Sequence, residues 1–337
     1  SLGGTRVRVH LSNAFSGAAL YLERVTVGVP AGSGSPAIRR GTLRDVTFGG
    51  NRPVIIPAGG AVLSDPVDLA VSAGGALSVS TYTPFGSGPV TYHRRASRAT
   101  FLAAGAAAAD LTGRHYRRVT TSWYYLTGVD VFDQTPRQSV VALGDSLTDG
   151  PGSGRLVHGT WPDLLAARLG PRGLAVLGAG IAGNRLLTDA VGADAGPSAL
   201  HRLDPDALDQ AGVRTVVLVE GINDVQLAPA RSAGAILAAV AAIVARAHAR
   251  GVRVVCGTLP PYRGFPLWTP AGEAVRDAVN ARLRTGGPCD STVDVAAALA
   301  DPASPRRLAP ALDSGDHLHP NDAGLAAIAA AVYAAVR

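Results

Sequence analysis

The hydrophobic periodicity of the chain changes near residue 134, and no other feature of the sequence constrains the fold as strongly. Before that point, apolar and polar residues alternate with a period of two, for example over residues 6–11 and 24–29. Turn clusters rich in Gly, Ser and Pro, such as residues 31–36, separate these runs. Short alternating strands between such turns predict an all-β sandwich domain, jelly-roll-like, over residues 1–133.

Residues 134–337 follow a different pattern, in which apolar strands alternate with segments of helical period. Nearly all-apolar strands in such an alternation predict an α/β domain with a parallel sheet covered by helices on both faces. Ligands of such folds bind at the carboxyl ends of the strands. We expect a linker over residues 134–137 and an N-cap at Thr160. The predicted strands are 139–143, 174–177, 215–220, 252–258 and 292–295, and the predicted helices are 161–169, 231–250, 271–285 and 321–336.

Composition and charge exclude two classes of partner. The chain of 337 residues carries a net charge of +6, and its 31 basic residues are all Arg. The arginines are scattered and form no basic stripe, so we expect no nucleic-acid binding. No apolar run approaches the roughly 18–20 residues of a membrane span. The N-terminus lacks a signal-peptide pattern. We also expect the protein to be a monomer.

The two cysteines, Cys256 and Cys289, do not form a metal-binding pattern. Cys256 lies late in one predicted strand, and Cys289 precedes the next. An extended chain at about 3.3 Å per residue separates them by roughly 10–15 Å along the strand direction. A disulfide requires Cα atoms within about 7 Å, so we expect two free thiols.

Four short segments carry residues suited to acyl transfer, and each follows a predicted strand or precedes the last helix. Ser146 lies in a Gly-Asp-Ser-Leu turn, where a helix N-terminus favours developing negative charge. A glycine-rich loop over residues 178–184 lets backbone N–H groups approach a ligand. Asn223, in Gly-Ile-Asn-Asp, offers an amide donor to an oxyanion. Asp316 and His319 supply a carboxylate and an imidazole.

A second histidine, His317, lies between Asp316 and His319. We expect His319 to be the base, because an aspartate three residues earlier can reach its Nδ1 and because Pro320 restricts the backbone after it. His317 is then a surface or loop residue.

These four segments closely resemble the sequence blocks of the SGNH, or GDSL, hydrolase family, and the resemblance covers roughly residues 138–337. It implies a flavodoxin-like α/β/α sandwich and hydrolysis of carboxylic esters through an acyl-serine intermediate. The β-rich first part resembles a subgroup of secreted bacterial GDSL esterases, some related to acetylxylan esterases. That resemblance implies a secreted protein with an accessory domain over residues 1–133.

The resemblance also implies a role for each site residue. Ser146 is the expected nucleophile, His319 its base, and Asp316 the carboxylate that orients His319. The backbone N–H groups of Ser146 and Gly183, with the side chain of Asn223, form the expected oxyanion hole. No metal or cofactor is needed. Three neighbours are expected to be structural: Asp145 in its turn, Asn184 between the first and second blocks, and Asp224.

Apolar residues flanking the strand ends indicate a cleft that accepts apolar groups, so we expect short-to-medium acyl or aryl esters as substrates, either small molecules or polymers. Three alternatives stay open. They are deacetylation of an acetylxylan-type polysaccharide, lipase or acyltransferase activity at the same site, and a non-catalytic binding protein. The complete set of site residues argues against the last. The expected substrate contacts are Leu147, Val157, Leu186, Leu227, Tyr262 and Leu318.

Overall fold

A computed structural model describes residues 2–86, 88–96, 98–133, 137–150, 159–190, 195–227 and 232–336. The chain divides into two compact units, Ser1–Pro136 and Arg137–Arg337. The predicted boundary after residue 133 lies next to this division. Residues 134–136 of the predicted linker lie outside the described residues.

The first unit is built of antiparallel strands around one hydrophobic core, as its period-two pattern predicts. β1 pairs with β6, β7 and β13, and β3 pairs with β4 and β8. Val7, Val9 and Leu11 of β1 are buried, which explains the alternation. The strands are β1 (Gly4–Ser12), β2 (Leu20–Leu22), β3 (Arg24–Gly28), β4 (Arg44–Val46), β5 (Val54–Ile56), β6 (Ala61–Leu63), β7 (Val67–Val71), β8 (Ser78–Tyr82), β9 (Tyr92–His93), β10 (Thr100–Ala103), β11 (Tyr116–Thr120), β12 (Trp123–Tyr124) and β13 (Leu126–Phe132).

The second unit contains a five-stranded parallel sheet in the order β15-β14-β16-β17-β18. Counted along this unit, the order is 2-1-3-4-5, which is that of flavodoxin-like folds, so the predicted α/β/α fold is confirmed. The antiparallel pair β19–β20 lies outside this sheet. The strands are β14 (Gln138–Gly144), β15 (Leu174–Gly180), β16 (Val213–Val219), β17 (Arg253–Gly257), β18 (Ser291–Val293), β19 (Ala300–Asp301) and β20 (Ser304–Leu308).

Helices cover both faces of this sheet because the connection from β14 to β15 runs across the sheet in one direction and the later connections run in the other. α2 packs on β15 and α8, whereas α5 packs on β17, α3 and α6. None of the described helices is both long and apolar enough to cross a membrane. They are α1 (Ser146–Asp149), α2 (Trp161–Leu169), α3 (Ala199–Leu203), α4 (Ile222–Leu227), α5 (Ala233–His248), α6 (Pro270–Arg284), α7 (Val295–Leu299) and α8 (Asp322–Val336), with a 3₁₀ turn at Gly170–Arg172 and a π turn at Asp204–Leu208.

The first long helix begins where its capping signal predicts. The Thr160 side chain accepts a hydrogen bond from the Asp163 N–H, and the Asp163 carboxylate accepts one from the Thr160 N–H. This reciprocal pair is a capping box, which satisfies two N–H groups that the helix leaves unpaired.

The structure corrects the expectation of two free thiols, because Cys256 and Cys289 form a disulfide with their Cα atoms 6.0 Å apart. The expectation assumed an extended backbone from Cys289 into the fifth strand. β18 begins only at Ser291, and Cys289 lies in a bend before it. The Asp290 N–H donates to the Val254 carbonyl of β17 at 3.0 Å, so the bend brings Cys289 beside its partner.

Candidate active site

Three loops that follow β14, β15 and β16 meet at one edge of the parallel sheet. Gly183 lies in the second loop, Ser146 begins α1 directly after the first, and Asn223 lies in the first turn of α4 directly after the third. The carboxyl ends of parallel strands share an edge, and the strand order reverses at β14, where such folds open a crevice. The strand order therefore brings together residues that are far apart in the sequence.

The turn after β14 has room only for glycine at its first position. A β-carbon on Gly144 would collide with the Thr148 hydroxyl and the Val219 carbonyl. Asp145 then caps α1, and its carboxylate accepts a hydrogen bond from the Leu147 N–H at 2.9 Å. Ser146 is consequently the first residue of a helix, with its side chain at the sheet edge and 6% of its surface exposed.

The loop before α8 brings His319 against Ser146. The His319 Nε2 lies 2.8 Å from the Ser146 Oγ, although the two residues are 173 positions apart. On its other side, the His319 Nδ1 lies 2.5 Å from the Asp316 Oδ2. The carboxylate makes Nδ1 the protonated nitrogen, so Nε2 is left to accept the serine proton.

The backbone holds the Asp316 carboxylate in place. Its Oδ1 accepts hydrogen bonds from the N–H groups of Leu318 at 3.0 Å and His319 at 2.8 Å. Burial works against ionisation, but the hydrogen bonds from the His319 ring and from these N–H groups outweigh it and lower the pKa of Asp316. Asp316 therefore carries its charge beside the imidazole at neutral pH.

His317 has a different partner. Its Nδ1 lies 2.7 Å from the Asp313 Oδ2, and its backbone has a φ of 70°. The side chain of Asn321 donates to the carbonyls of Ala311 and Asp313 and so holds this loop closed. The structure places His319, and not His317, next to Ser146.

Two further hydrogen-bond donors face the same edge of the sheet. Gly183 has a φ of 82°, a conformation that favours glycine, and among the described residues no acceptor is found for its N–H. The Asn223 amide donates one of its two N–H bonds to the Asn184 carbonyl at 2.9 Å. That bond fixes the amide, and the second N–H of Asn223 is left for a ligand.

Arg202 links the first and second loops and is a residue that sequence reasoning missed. It is 3% exposed, and it donates from Nε to the Asn184 Oδ1 and from Nη2 to the Gly144 carbonyl, each at 2.9 Å. Asn184 thus connects to the first block through Arg202 and to the third directly through Asn223. Nothing in the local pattern around Arg202 marks it, because its partners come from two distant strand ends.

Asp224 ties the third loop to the second. Its carboxylate accepts hydrogen bonds from the N–H groups of Leu186 at 2.7 Å and Leu187 at 3.2 Å. This bonding agrees with the structural role expected for it.

Two buried carboxyls lie behind the site. Burial, with repulsion from Asp224, raises the pKa of Asp145 to about 7. Burial, followed by the charge of Asp145, raises the pKa of Glu220 well above its ordinary value. Sequence reasoning gave Glu220 no role either, although a carboxylate directly after the apolar run 216–219 is a visible signal.

Most of the expected substrate contacts lie in the core instead of on a cleft wall. Leu147, Leu186, Tyr262 and Leu318 are each at most 2% exposed, because they fill the space between the sheet and its helices. This burial argues against direct contact with a substrate. Leu227 is 42% exposed, and Val157 lies outside the described residues.

The apolar side chain of Phe265 lies beside His319. Its ring approaches the His319 imidazole edge to face, with centroids 6.4 Å apart. Across the described part of the chain, no group of three or more His, Cys, Asp or Glu side chains is arranged to hold a metal ion.

Several solved structures are similar to this chain over part of its length. An aryl esterase from M. smegmatis is 18% identical, with a TM-score of 0.47 over 59% of this chain and 98% of the other. A carbohydrate acetylesterase family member from Sinorhizobium meliloti is 20% identical, with a TM-score of 0.49 over 59% and 97%. A GDSL-like lipase from Bacteroides thetaiotaomicron is 18% identical, with a TM-score of 0.44 over 59% and 87%.

No curated protein matches the chain. The sequence profile of the GDSL-like lipase/acylhydrolase family, by contrast, matches residues 142–327. This range covers more than half of the 337 residues. The chain therefore belongs to the GDSL-like lipase/acylhydrolase family and is a carboxylic ester hydrolase.

Proposed function

We propose that the protein hydrolyses short-to-medium acyl or aryl esters, with Ser146 as nucleophile, His319 as general base and Asp316 as its orienting carboxylate. The continuous hydrogen-bonded chain from Asp316 through His319 to the Ser146 Oγ supports this proposal most directly. A serine hydroxyl is a weak nucleophile until an adjacent base takes its proton.

In the first half of the reaction, the Ser146 Oγ attacks the ester carbonyl carbon while its proton passes to the His319 Nε2. The carbonyl oxygen becomes an oxyanion, held by the N–H groups of Ser146 and Gly183 and the free N–H of Asn223. Collapse of this intermediate breaks the bond to the alcohol, which leaves with the proton from His319. An acyl-serine remains.

In the second half, water gives a proton to His319 and attacks the acyl-serine. The new tetrahedral intermediate uses the same donors. Its collapse releases the acid and returns the proton to Ser146. Asp316 stays ionised throughout, because its hydrogen bonds favour the charged form.

Leu227, at the end of the helix that carries Asn223, is 42% exposed. The Phe265 ring, which approaches the His319 imidazole edge to face, supports an apolar or aromatic substrate group beside His319. An aryl or alkyl group placed there would bury apolar surface, worth about 25 cal/mol for each Å² removed from water.

Replacing Ser146 tests the mechanism. We expect Ser146→Ala to lower kcat for p-nitrophenyl acetate by on the order of 10³-fold or more. An alkyl p-nitrophenyl phosphonate should add one phosphonyl group to the wild-type protein, seen by intact mass, and none to the variant. Retained activity, or labelling of the variant, would refute the assignment of Ser146 as the nucleophile.

A series of p-nitrophenyl esters of increasing acyl length tests the substrate class against acetylated xylan. We expect kcat/KM to stay high through medium chain lengths and to fall for the polysaccharide. Turnover confined to acetylated xylan would favour the polysaccharide deacetylase. Adding an alcohol and assaying ester products identifies acyl transfer.

The disulfide supports a place of action outside the reducing cytosol. Disulfides persist in oxidising compartments and are rare in cytosolic proteins. We therefore propose that Cys256 and Cys289 are paired in the working protein, which acts as a secreted enzyme. Thiol titration of unfolded protein from the culture medium should find no free thiol.

A further inference from the structure

Behind Ser146, four charged side chains share a space closed to solvent. Asp145 and Asp224 are fully buried, Arg202 is 3% exposed and Glu220 is 5% exposed. Three carboxyls and one guanidinium are therefore buried in this part of the molecule. Ionised carboxyls in such a place are costly unless they are paired or hold a proton.

The hydrogen bonds of Asp145 and Glu220 leave one oxygen of each without a partner. The Asp145 Oδ1 accepts from the Leu147 N–H, and the Glu220 Oε1 accepts from the Gly221 N–H at 3.2 Å. The remaining oxygens, Asp145 Oδ2 and Glu220 Oε2, are buried and find no donor within the described residues.

The two carboxyls nevertheless lie within hydrogen-bonding reach of each other. Two carboxylates cannot form a hydrogen bond, because neither holds a proton. A single proton between them turns one carboxyl into a hydrogen-bond donor to the other.

We propose that Asp145 and Glu220 share one proton and that the resulting hydrogen bond is a clamp between the turn that carries Ser146 and the strand end that carries Asn223. Asp145 directly precedes the nucleophile, and Glu220 ends the segment before the Gly-Ile-Asn-Asp block. Both are positioning residues. The effect of the clamp on the reaction rests on the proposed function, whereas the shared proton does not.

The charges that face the clamp come from three elements. The Arg202 Nη2 of α3 lies 3.8 Å from the Glu220 Oε2, and Asp224 of α4 acts on both carboxyls. Asp206, 37% exposed at its side chain, pairs with Arg202 from outside. With one shared proton, two buried negative charges face Arg202, and without it there are three. The raised pKa values of both carboxyls agree with this count.

Infrared spectroscopy detects the shared proton without any assay. The difference spectrum of wild type minus Glu220→Gln near neutral pH should contain the carbonyl stretch of a protonated carboxylic acid. The matched control is Glu273→Gln, which removes a buried carboxylate hydrogen-bonded to Arg276 at 2.6 Å and should show no such band. If the difference spectrum of wild type minus Glu220→Gln also lacks this band, the proposal fails.

Two variants of one residue test the clamp. Glu220→Leu removes the hydrogen bond between the two carboxyls, and we expect kcat to fall about 10–100-fold with KM nearly unchanged. Glu220→Gln supplies an amide N–H to the Asp145 carboxylate in its place and should restore most of that loss. Its kcat should also decline less than that of wild type at alkaline pH, because the amide proton does not dissociate.

The outcomes separate the clamp from the mechanism. Wild-type kcat in Glu220→Leu, or a loss in Glu220→Gln as large as in Glu220→Leu, would overturn the clamp. If Glu220→Leu does not fold, the infrared band and the alkaline profile of Glu220→Gln decide. An active Ser146→Ala would refute the proposed function and leave the infrared result untouched.

Discussion

At the scale of single residues, the proposed reaction needs an imidazole that can receive the Ser146 proton. His319 is placed by two contacts, one to the serine and one to Asp316, whereas His317 is bonded to Asp313. The two histidines lie on one short loop and differ only in which way the backbone turns their rings. That difference makes them a matched pair for mutation.

We expect His319→Ala to lower kcat on p-nitrophenyl acetate by on the order of 10³-fold or more, because the serine loses its base. His317→Ala should keep kcat within several-fold of wild type. Steady-state kinetics of the two variants, checked for folding by circular dichroism, give the comparison. The opposite ranking would mean that His317 is the base.

Asn223 is the donor whose removal best tests the oxyanion hole. We expect Asn223→Ala to lower kcat by about 10²–10³-fold, because one donor to the developing charge is lost. KM should change little, since the ground-state carbonyl is bound weakly. The same substitution removes the bond to Asn184, so the melting temperature is measured alongside. A loss confined to KM would contradict the oxyanion assignment.

At the scale of elements, the disulfide joins β17 to the bend that leads into β18, the edge strand of the sheet. β18 has only three residues and pairs with one neighbour, so its pairing alone holds it weakly. The cross-link spans 33 positions of sequence and restricts the unfolded chain accordingly.

We expect Cys289→Ser to lower the free energy of unfolding by about 2–4 kcal/mol, measured by urea denaturation. Activity of the folded variant should be unaffected, because no site residue lies on β18. Reduction of the wild type should give a similar loss of stability, and a Cys256→Ala/Cys289→Ala double variant should not respond to reductant. An equal response of that variant would show that the reductant acts elsewhere.

At the scale of the whole molecule, the buried carboxyls make stability depend on pH. Asp145 has an ordinary pKa of 3.8 that the fold raises to about 7. The folded protein therefore holds a proton that the unfolded chain has released. The stability from this group is complete below about pH 3.8 and is lost as the pH rises through about 7. Glu220, raised in the same direction, extends the loss to higher pH.

We therefore expect the free energy of unfolding to be lower at about pH 8 than at about pH 5, with a smaller difference in Glu220→Gln, which removes one of the two groups. Urea denaturation at both pH values tests this. The pKa of Asp316 is lowered, so this group acts in the opposite sense. Its stabilisation is complete above its ordinary pKa of 3.8 and is lost only as the pH falls below that value. If the free energy of unfolding changes equally with pH in Glu220→Gln and wild type, the pH dependence arises from groups other than Asp145 and Glu220.

The sequence by itself determined the parallel strands and the long helices of the second unit and the order of the four blocks. Periods of two and 3.6 are local properties, so strands such as β14 and helices such as α2 lie within a few residues of their predicted bounds. Three of the four blocks also follow strand ends, as the pattern predicts, and the fourth precedes α8. The parallel sheet then brings their residues to one edge, because all its strands point the same way.

Only the tertiary structure decided which side chains meet. A period marks Leu147 and Leu186 as apolar but does not separate a cleft wall from the core, and both are buried. Cys289 meets Cys256 because a bend precedes β18. The Arg202 guanidinium and the Asp145–Glu220 pair connect loops from distant parts of the chain. Such contacts depend on the order and stagger of strands across the sheet, which local patterns do not encode.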